Sequence, residues 1–215
     1  MKIELQQETA KEVLHKLEAI DPLCILAGGA PRNWFFGKPA NDLDFYIHIP
    51  DGETMNNTDL RFKRVGLEVN HVDYKSDKWK DYGVMEYLFR IYEGEYKGCK
   101  VQIMVMTEPT THSVVDHFGV SICKFWWKGY DVNPTNEALI SIITKTLFIK
   151  EDYSAKEIHV EKQKKYFPDY KVKPYSEYDE VQFITFAEYK DLGNYGTIQH
   201  SKRLLNLAKR SVNLG

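Results

Sequence analysis

The stretch Leu26–Ile47, LAGGAPRNWFFGKPANDLDFYI, decides how the rest of the chain is read. It begins on the end of LCILA, an apolar run of the length a buried strand needs, and passes straight into Gly28-Gly29, where the backbone can turn without a Cβ penalty. Pro31 suits the first turn of a helix, so APRNWFF reads as a short helix closed by Gly37. In NDLDFYIHI the period is two. Leu43, Phe45, Ile47 and Ile49 point one way, and Asp42, Asp44, Tyr46 and His48 the other. The unit is strand, glycine turn, helix, strand, with two carboxylates on one face of the second strand.

Two readings of those carboxylates compete. On the half-exposed edge of an antiparallel sheet, polar residues outward and apolar residues inward are ordinary. A Gly-Gly turn entering a helix, however, exposes backbone N–H groups that can hold phosphate, and two carboxylates on the next strand can hold Mg²⁺ against the same phosphates. Hard oxygen ligands spaced to share or bridge metal ions are what phosphoryl or nucleotidyl transfer requires.

The residues GGAPRNWFFGKPANDLDFYI resemble the signature of the polymerase-beta-like nucleotidyltransferase superfamily, particularly the head domain of tRNA nucleotidyltransferases and bacterial poly(A) polymerases. There the pattern is Gly-Gly, a spacer, Arg-Asp, then Asp-x-Asp on the next strand. The match covers residues 28–47, with looser agreement over residues 1–150. The resemblance implies an α+β fold, a nucleotidyltransferase-like mixed β-sheet with helices on one face. It also implies transfer of a nucleotidyl group from an NTP to an RNA 3′ end or another acceptor, with Mg²⁺ as cofactor and Mn²⁺ as a possible substitute. Carried over residue by residue, Gly28, Gly29 and Arg32 bind the nucleotide, and Asp42 and Asp44 are the catalytic, metal-ligating carboxylates.

Two departures from the family pattern stand out. Its Arg-Asp is Arg32-Asn33 here, which keeps shape and removes a charge. Its third carboxylate falls in KVQIMVM, where Gln102 stands. An amide can ligate through its carbonyl oxygen but cannot act as a general base. Asp116, in SVVDHFGVSICKF, is the other candidate for that third position. This segment also resembles small stand-alone nucleotidyltransferase-like proteins, some from phages, in which Phe is commonly followed by Asp; here Phe118 precedes Gly119. The departures keep two alternatives open: a catalytically weakened nucleotide- or RNA-binding relative, and a regulatory or antitoxin-like interaction protein on the same scaffold.

Composition bounds these readings. With 215 residues, 43% of them hydrophobic and 28% charged, the chain can bury a substantial core. Its net charge of −2 excludes the global basic footprint of a strongly charged nucleic-acid binder, so contact with RNA or tRNA must run through local basic patches. Cys24, Cys99 and Cys123 lie far apart in apolar surroundings and form neither a zinc spacing nor an even disulfide set. The start, MKIELQQETAKEVLHKLEAI, lacks a signal peptide's apolar segment, and no apolar run is long enough to span a bilayer. A cytoplasmic setting without membrane partners is expected.

Along the remaining chain, the spacing of Ala10, Val13, Leu14, Leu17 and Ile20 predicts a helix over residues 8–20. YLFRIY and KVQIMVM, joined by EGEYKGC, predict a hairpin, and SICKFWW a further strand. Leu139, Ile142, Ile143 and Leu147 fall at helical spacing in NEALISIITKTLFI. Texture changes near residue 150, so residues 1–150 are expected to form the nucleotidyltransferase-like domain and 151–215 a helical C-terminal extension packed on it. In the last helix Ile198, Leu204, Leu205, Ala208 and Val212 line one side and Lys202, Arg203, Lys209 and Arg210 the other. The aromatic run KFWWKGY fits either core packing or base stacking between Lys124 and Lys128. His48 shares the carboxylate face and fits a surface pair or a ligand contact.

Overall fold

The alternating strand NDLDFYIHI lies in the middle of a sheet. The computed structural model describes residues 2–49, 55–72, 88–107, 111–152, 156–179, 181 and 198–213. Its chain divides into two compact units, Met1–Phe118 with Phe125–Asn133, and Gly119–Lys124 with Pro134–Gly215. The fold is α+β.

In the first unit the elements run α1 (Ile3–Leu17), β1 (Ile25–Ala27), α2 (Gly29–Phe35), β2 (Leu43–His48), α3 (Met55–Arg64), β3 (Val69–Val72), β4 (Leu88–Tyr96), β5 (Cys99–Met106), β6 (Phe125–Trp127) and β7 (Val132–Pro134). The strands form a seven-stranded sheet in the order β3-β4-β5-β2-β1-β6-β7, which puts β2 at its centre. β2 pairs antiparallel with β1 and parallel with β5, so the sheet is mixed.

The two sheet faces are covered differently. Leu43, Phe45, Ile47 and Ile49 are all buried, together with Val101, Ile103 and Val105 of β5, and pack against Ala10, Val13, Leu14 and Leu17 of α1, Trp34 of α2 and Phe62 of α3. The period-two reading of this strand therefore holds, and the helices lie on that apolar face. On the other face Ile25, Ala27, Tyr46 and Met104 pack beneath Val114 and Val115 of the 3₁₀ turn Thr111–His117, with Phe118 and Trp126 against them. Asp21 ties the sheet's entry together: its carboxylate accepts from the backbone N–H of Leu23 (2.9 Å) and of His48 (2.8 Å).

Some elements differ from expectation. The first helix starts at Ile3 rather than residue 8 and ends at Leu17, because Gln6 and Thr9 join its buried side although neither is apolar. Gln6 is held there by Trp34 Nε1–H and Ala40 N–H, which its Oε1 accepts at 3.1 and 2.8 Å. SICKFWW is a 3₁₀ turn, Ser121–Cys123, followed by β6 alone. In KFWWKGY, Phe125 and Trp127 are core residues, with Trp127 edge-on to Trp34 at 5.3 Å between ring centres, and Trp126 is half-buried. The run is built for packing.

The second unit contains α4 (Asn136–Thr144), β8 (Thr146–Ile149), α5 (Lys156–Tyr166), β9 (Lys171–Pro174) and α6 (Ile198–Asn213). The helix expected through Leu147 stops at Thr144, where Lys145 takes a left-handed conformation (φ 50°), and TLFI continues as a strand parallel to β9. The spacing of Leu139, Ile142, Ile143 and Leu147 hid that stop by running across Thr144-Lys145-Thr146, and the apolar residues after it fit a buried strand as well as a helix. Lys124 is buried at 2% exposure, donating to Tyr175 Oη (2.9 Å) and paired with Glu137 (3.0 Å). In α6, Leu204 and Ala208 are buried while Lys202, Lys209 and Arg210 are exposed. Among the described residues no helix is long and apolar enough to cross a membrane.

One glycine of β4 has no room for a side chain. A Cβ on Gly94 would stand 2.5 Å from the backbone oxygen of Glu68, at the approach to β3. Gly94→Ala is expected to destabilise the protein by about 1–3 kcal/mol, read as a lowered urea midpoint at unchanged slope, because the obstructing atom is backbone and cannot swing aside.

Candidate functional site

The site is built on the face of β2 that does not meet α1. Asp44 is half-buried and stands in the central strand, so the edge-strand explanation of its polarity does not apply. A carboxylate in the middle of a sheet loses hydration without being placed at a boundary, and its position calls for a ligand or a dedicated partner set. The parallel register sets Asp44 directly against Gln102 of β5, and the antiparallel register sets Gln102 against Glu93 of β4. Asp44, Gln102 and Glu93 thus form a row across three strands on one face. At about 4.8 Å per strand, the ends of the row are roughly 10 Å apart.

Gln102 is 3% exposed, and its Nε2 donates to Glu93 Oε1 at 2.7 Å. Lys100 Nζ lies 3.2 Å from the same Glu93 oxygen. One residue before β2, Asp42 lines a polar pocket of about 270 Å³ with Asn41, Gly98, Cys99 and Lys100. The row and the pocket adjoin through Lys100, which lines the pocket and pairs with Glu93.

On the other flank is the glycine turn. Continuing the β1–β2 register by one pair sets Ala27 opposite Asp44, with Gly28 next. Gly28 has φ 84° and ψ −121°, a conformation open to glycine and strained for any residue with a Cβ. Its N–H donates to Phe125 O at 2.8 Å, extending the β1–β6 ladder. The Gly28 amide is therefore committed to the sheet, Pro31 has no N–H and the Arg32 N–H donates to Gly28 O at 3.2 Å, so an anion at this turn would meet the amides of Gly29 and Ala30.

Arg32 is 4% exposed. Its Nε and Nη2 both donate to Asn33 Oδ1, at 3.1 and 2.8 Å, and Nη2 lies 4.0 Å from where a Cβ on Gly29 would be. Asn33 Nδ2 donates in turn to Pro39 O at 3.2 Å, and Asn33 O accepts from Lys38 N–H at 2.9 Å. Asn33 clamps the segment that leads into Asp42 while holding the arginine under the glycine turn. An aspartate would hold Arg32 but could not donate to Pro39, so the exchange of Asp for Asn has a structural use here.

Asp116 lies on the 3₁₀ turn Thr111–His117, which packs over the same sheet face as Asp44, and its side chain is exposed. His48 contributes its backbone N–H to Asp21, and its register partner is Met106, four residues along β5 from Gln102. The structure thus brings Asp42, Asp44, Gln102, Gly28, Gly29 and Arg32 to one region of the first unit. Sequence reasoning missed Glu93 and Lys100, whose relevance depends on which strands are neighbours. Among the described residues no three His, Cys, Asp or Glu side chains gather closely enough to cage a metal ion.

Comparison with solved structures places the fold. The Bacillus stearothermophilus CCA-adding enzyme, in complex with CTP, superposes over 94% of this chain with a TM-score of 0.55 at 10% identity. The chain shares the fold of CCA-adding nucleotidyltransferases. A tRNA-processing enzyme in an apo form matches 96% of the chain with a TM-score of 0.52 at 14% identity. The chain spans about half the length of these structures, 48% of the first and 56% of the second. No protein-family model matches the sequence, and no curated protein matches it.

The Asn33 clamp is directly testable. Asn33→Ala removes the two bonds that the buried guanidinium makes to Asn33 Oδ1, together with the bond to Pro39 O, and is expected to cost about 2–3 kcal/mol in chemical denaturation, whereas Asn33→Asp should stay within about 1 kcal/mol of wild type.

Proposed function

We propose that this chain binds a nucleoside triphosphate and transfers its nucleotidyl group to an acceptor hydroxyl, the acceptor being an RNA 3′ end of the tRNA kind. The observation that carries the reading is Asp44 at the centre of the sheet, in register with Gln102 and flanked by the glycine turn. The shared fold supports it, as does the CTP bound to one of the structures with that fold.

The residues present fit one Mg²⁺, or Mn²⁺ in its place. Asp42, just before β2, and Asp44, within it, offer hard oxygens two positions apart in the chain, and an ion of this kind usually takes one or two carboxylates together with substrate phosphates and water. When bound, such an ion neutralises the triphosphate and favours the attacking hydroxyl's ionised form. The chain's own residues do the rest. The amides of Gly29 and Ala30 and the buried charge of Arg32 face the phosphates, while Asn33 fixes Arg32 and the approach to Asp42. Residues 1–150 serve as the nucleotidyltransferase-like domain and 151–215 as a helical extension, whose exposed Lys202, Lys209 and Arg210 offer a local basic patch to RNA.

Gln102 favours a second reading on the same site: a protein that binds nucleotide but transfers slowly, because an amide cannot accept the acceptor's proton. Asp116, on the 3₁₀ turn over this face, and Glu93, in the row itself, are carboxylates that could serve as the third.

Calorimetric titration with each NTP, with and without Mg²⁺, tests the reading, and absence of any Mg²⁺-dependent binding would overturn it. Asp44→Asn should weaken that binding about tenfold or more, while thermal stability stays level or rises as repulsion between two carboxylates is relieved. Incorporation of labelled nucleotide into an RNA pool then separates the two readings. Gln102→Glu is expected to raise the transfer rate.

A further inference from the structure

The row Glu93–Gln102–Asp44 continues across the sheet, and its far end is aromatic. Ala27 stands opposite Asp44 by continuation of the β1–β2 register, and the register of β1 with β6 sets Ala27 against Trp126. We propose that Trp126 and Phe118 form an aromatic platform for the base of the nucleotide whose phosphates lie at Asp42 and Asp44. The inference rests on the reading above and locates the nucleoside end of the same site.

Alternation along β6 singles Trp126 out. Trp127 is buried on the face covered by the helices, so Trp126 takes the opposite face, where it is half-buried beside Ala27. The cover of that face is graded. Ile25, Tyr46 and Met104 make up the neighbouring row across three strands, and all are buried beneath Val114 and Val115 of the 3₁₀ turn. That cover ends at Phe118, which is half-buried. Its ring centre lies 5.8 Å from that of Tyr46, and its Cε2 lies 3.6 Å from where a Cβ on Gly28 would stand. Phe118 therefore reaches from the buried row to the glycine turn. Gly28 and Trp126 both lie on the side of Asp44 away from Gln102.

Chemistry decides what such a border takes. Val114 and Val115 show that aliphatic side chains suffice to cover this face, whereas the two side chains that stay partly open beside the carboxylate are both aromatic. Flat π-systems hold flat bases. Ala27, between Asp44 and Trp126 in the row, has no side chain beyond Cβ to stand in the way. At about 4.8 Å per strand, Asp44 and Trp126 are roughly 10 Å apart, a gap that a ribose bridges between the phosphates and the base. Because every base has a π-face, the platform adds affinity to all four nucleotides without choosing among them.

Calorimetric titration with ATP, CTP and inorganic tripolyphosphate, each with Mg²⁺, separates the nucleoside's contribution from that of the phosphates. Trp126→Leu and Phe118→Leu keep an apolar cover and remove the π-surface. Each is expected to lower the affinity for ATP and CTP about tenfold, as loss of a stacked aromatic does, and to leave tripolyphosphate at its wild-type affinity. Trp126→Phe keeps a ring and should bind ATP and CTP as wild type does. Equal nucleotide affinities in Trp126→Phe and Trp126→Leu would overturn the platform. An equal loss for all three ligands in the leucine variants would overturn it too, since that marks a packing role alone. The two failures are distinguishable: if wild type binds none of the three ligands, the nucleotide site itself is misplaced and the platform falls with it, whereas wild-type binding that both leucine variants retain in full removes only the platform.

Discussion

The pairing of β2 with β5 is the constraint on which the site depends. Side chains alternate across a strand, so sliding one strand by a single residue would carry Asp44 into the apolar face and Leu43 out of it. The register is fixed by burial of Leu43, Phe45 and Ile47 beside Val101, Ile103 and Val105, all beneath the helices of the first unit. At about 25 cal/mol per Å² of apolar surface, a slip that exposed several of these side chains would cost more than one carboxylate could recover by rehydration. Hydrophobic packing on one face thus determines the polar geometry on the other. Polar groups that stand against each other, Asp44 with Gln102 and Gln102 with Glu93, do so because apolar groups behind them cannot move.

Much of this was legible in the sequence, and the limits follow from what sequence patterns encode. Period two in LDFYI gave the strand and its faces correctly, because one face is continuously apolar. The glycine turn and the short helix after it were read from Gly28, Gly29 and Pro31, whose backbone preferences are local. The helix ending at Thr144 was not, since helical spacing continues across the polar Thr144-Lys145-Thr146 to Leu147 and the stop is a lysine in a left-handed conformation. Strands β3 and β7 and helix α3 went unrecognised, being short or weakly apolar. Gln102 was identified by its place in a resemblance, but its position beside Asp44 came only from the register. Glu93 and Lys100 were invisible for the same reason: strand adjacency is a property of the folded sheet. The exchange of Asp for Asn at residue 33 looked like a loss of charge and proved to serve a bond to Pro39 that an aspartate cannot make.

The glycine turn illustrates how one residue can carry conformational and ladder duties together. Gly28 takes a backbone geometry that a Cβ would strain, and it also donates to Phe125. It is thereby the last residue of the β1–β6 ladder and the cap from which α2 starts, which fixes the helix relative to the sheet. Arg32, one turn into that helix, is placed under the turn as a consequence.

The parallel pairing of β2 and β5 also bears on how the protein acquires its site. Residues 44 and 102 are neighbours in space only after the chain has left the sheet's centre, formed α3 and β3, and returned through the β4–β5 hairpin. Parallel pairing requires such a long excursion, and its loop entropy must be lost before the contact gains anything. Helix α1 and the hairpin can form early from local contacts, but the Asp44–Gln102 row belongs to the slow, non-local part of folding. A nascent or partly unfolded chain therefore carries all of these residues without bringing them together, and the polar row exists only once the sheet has closed.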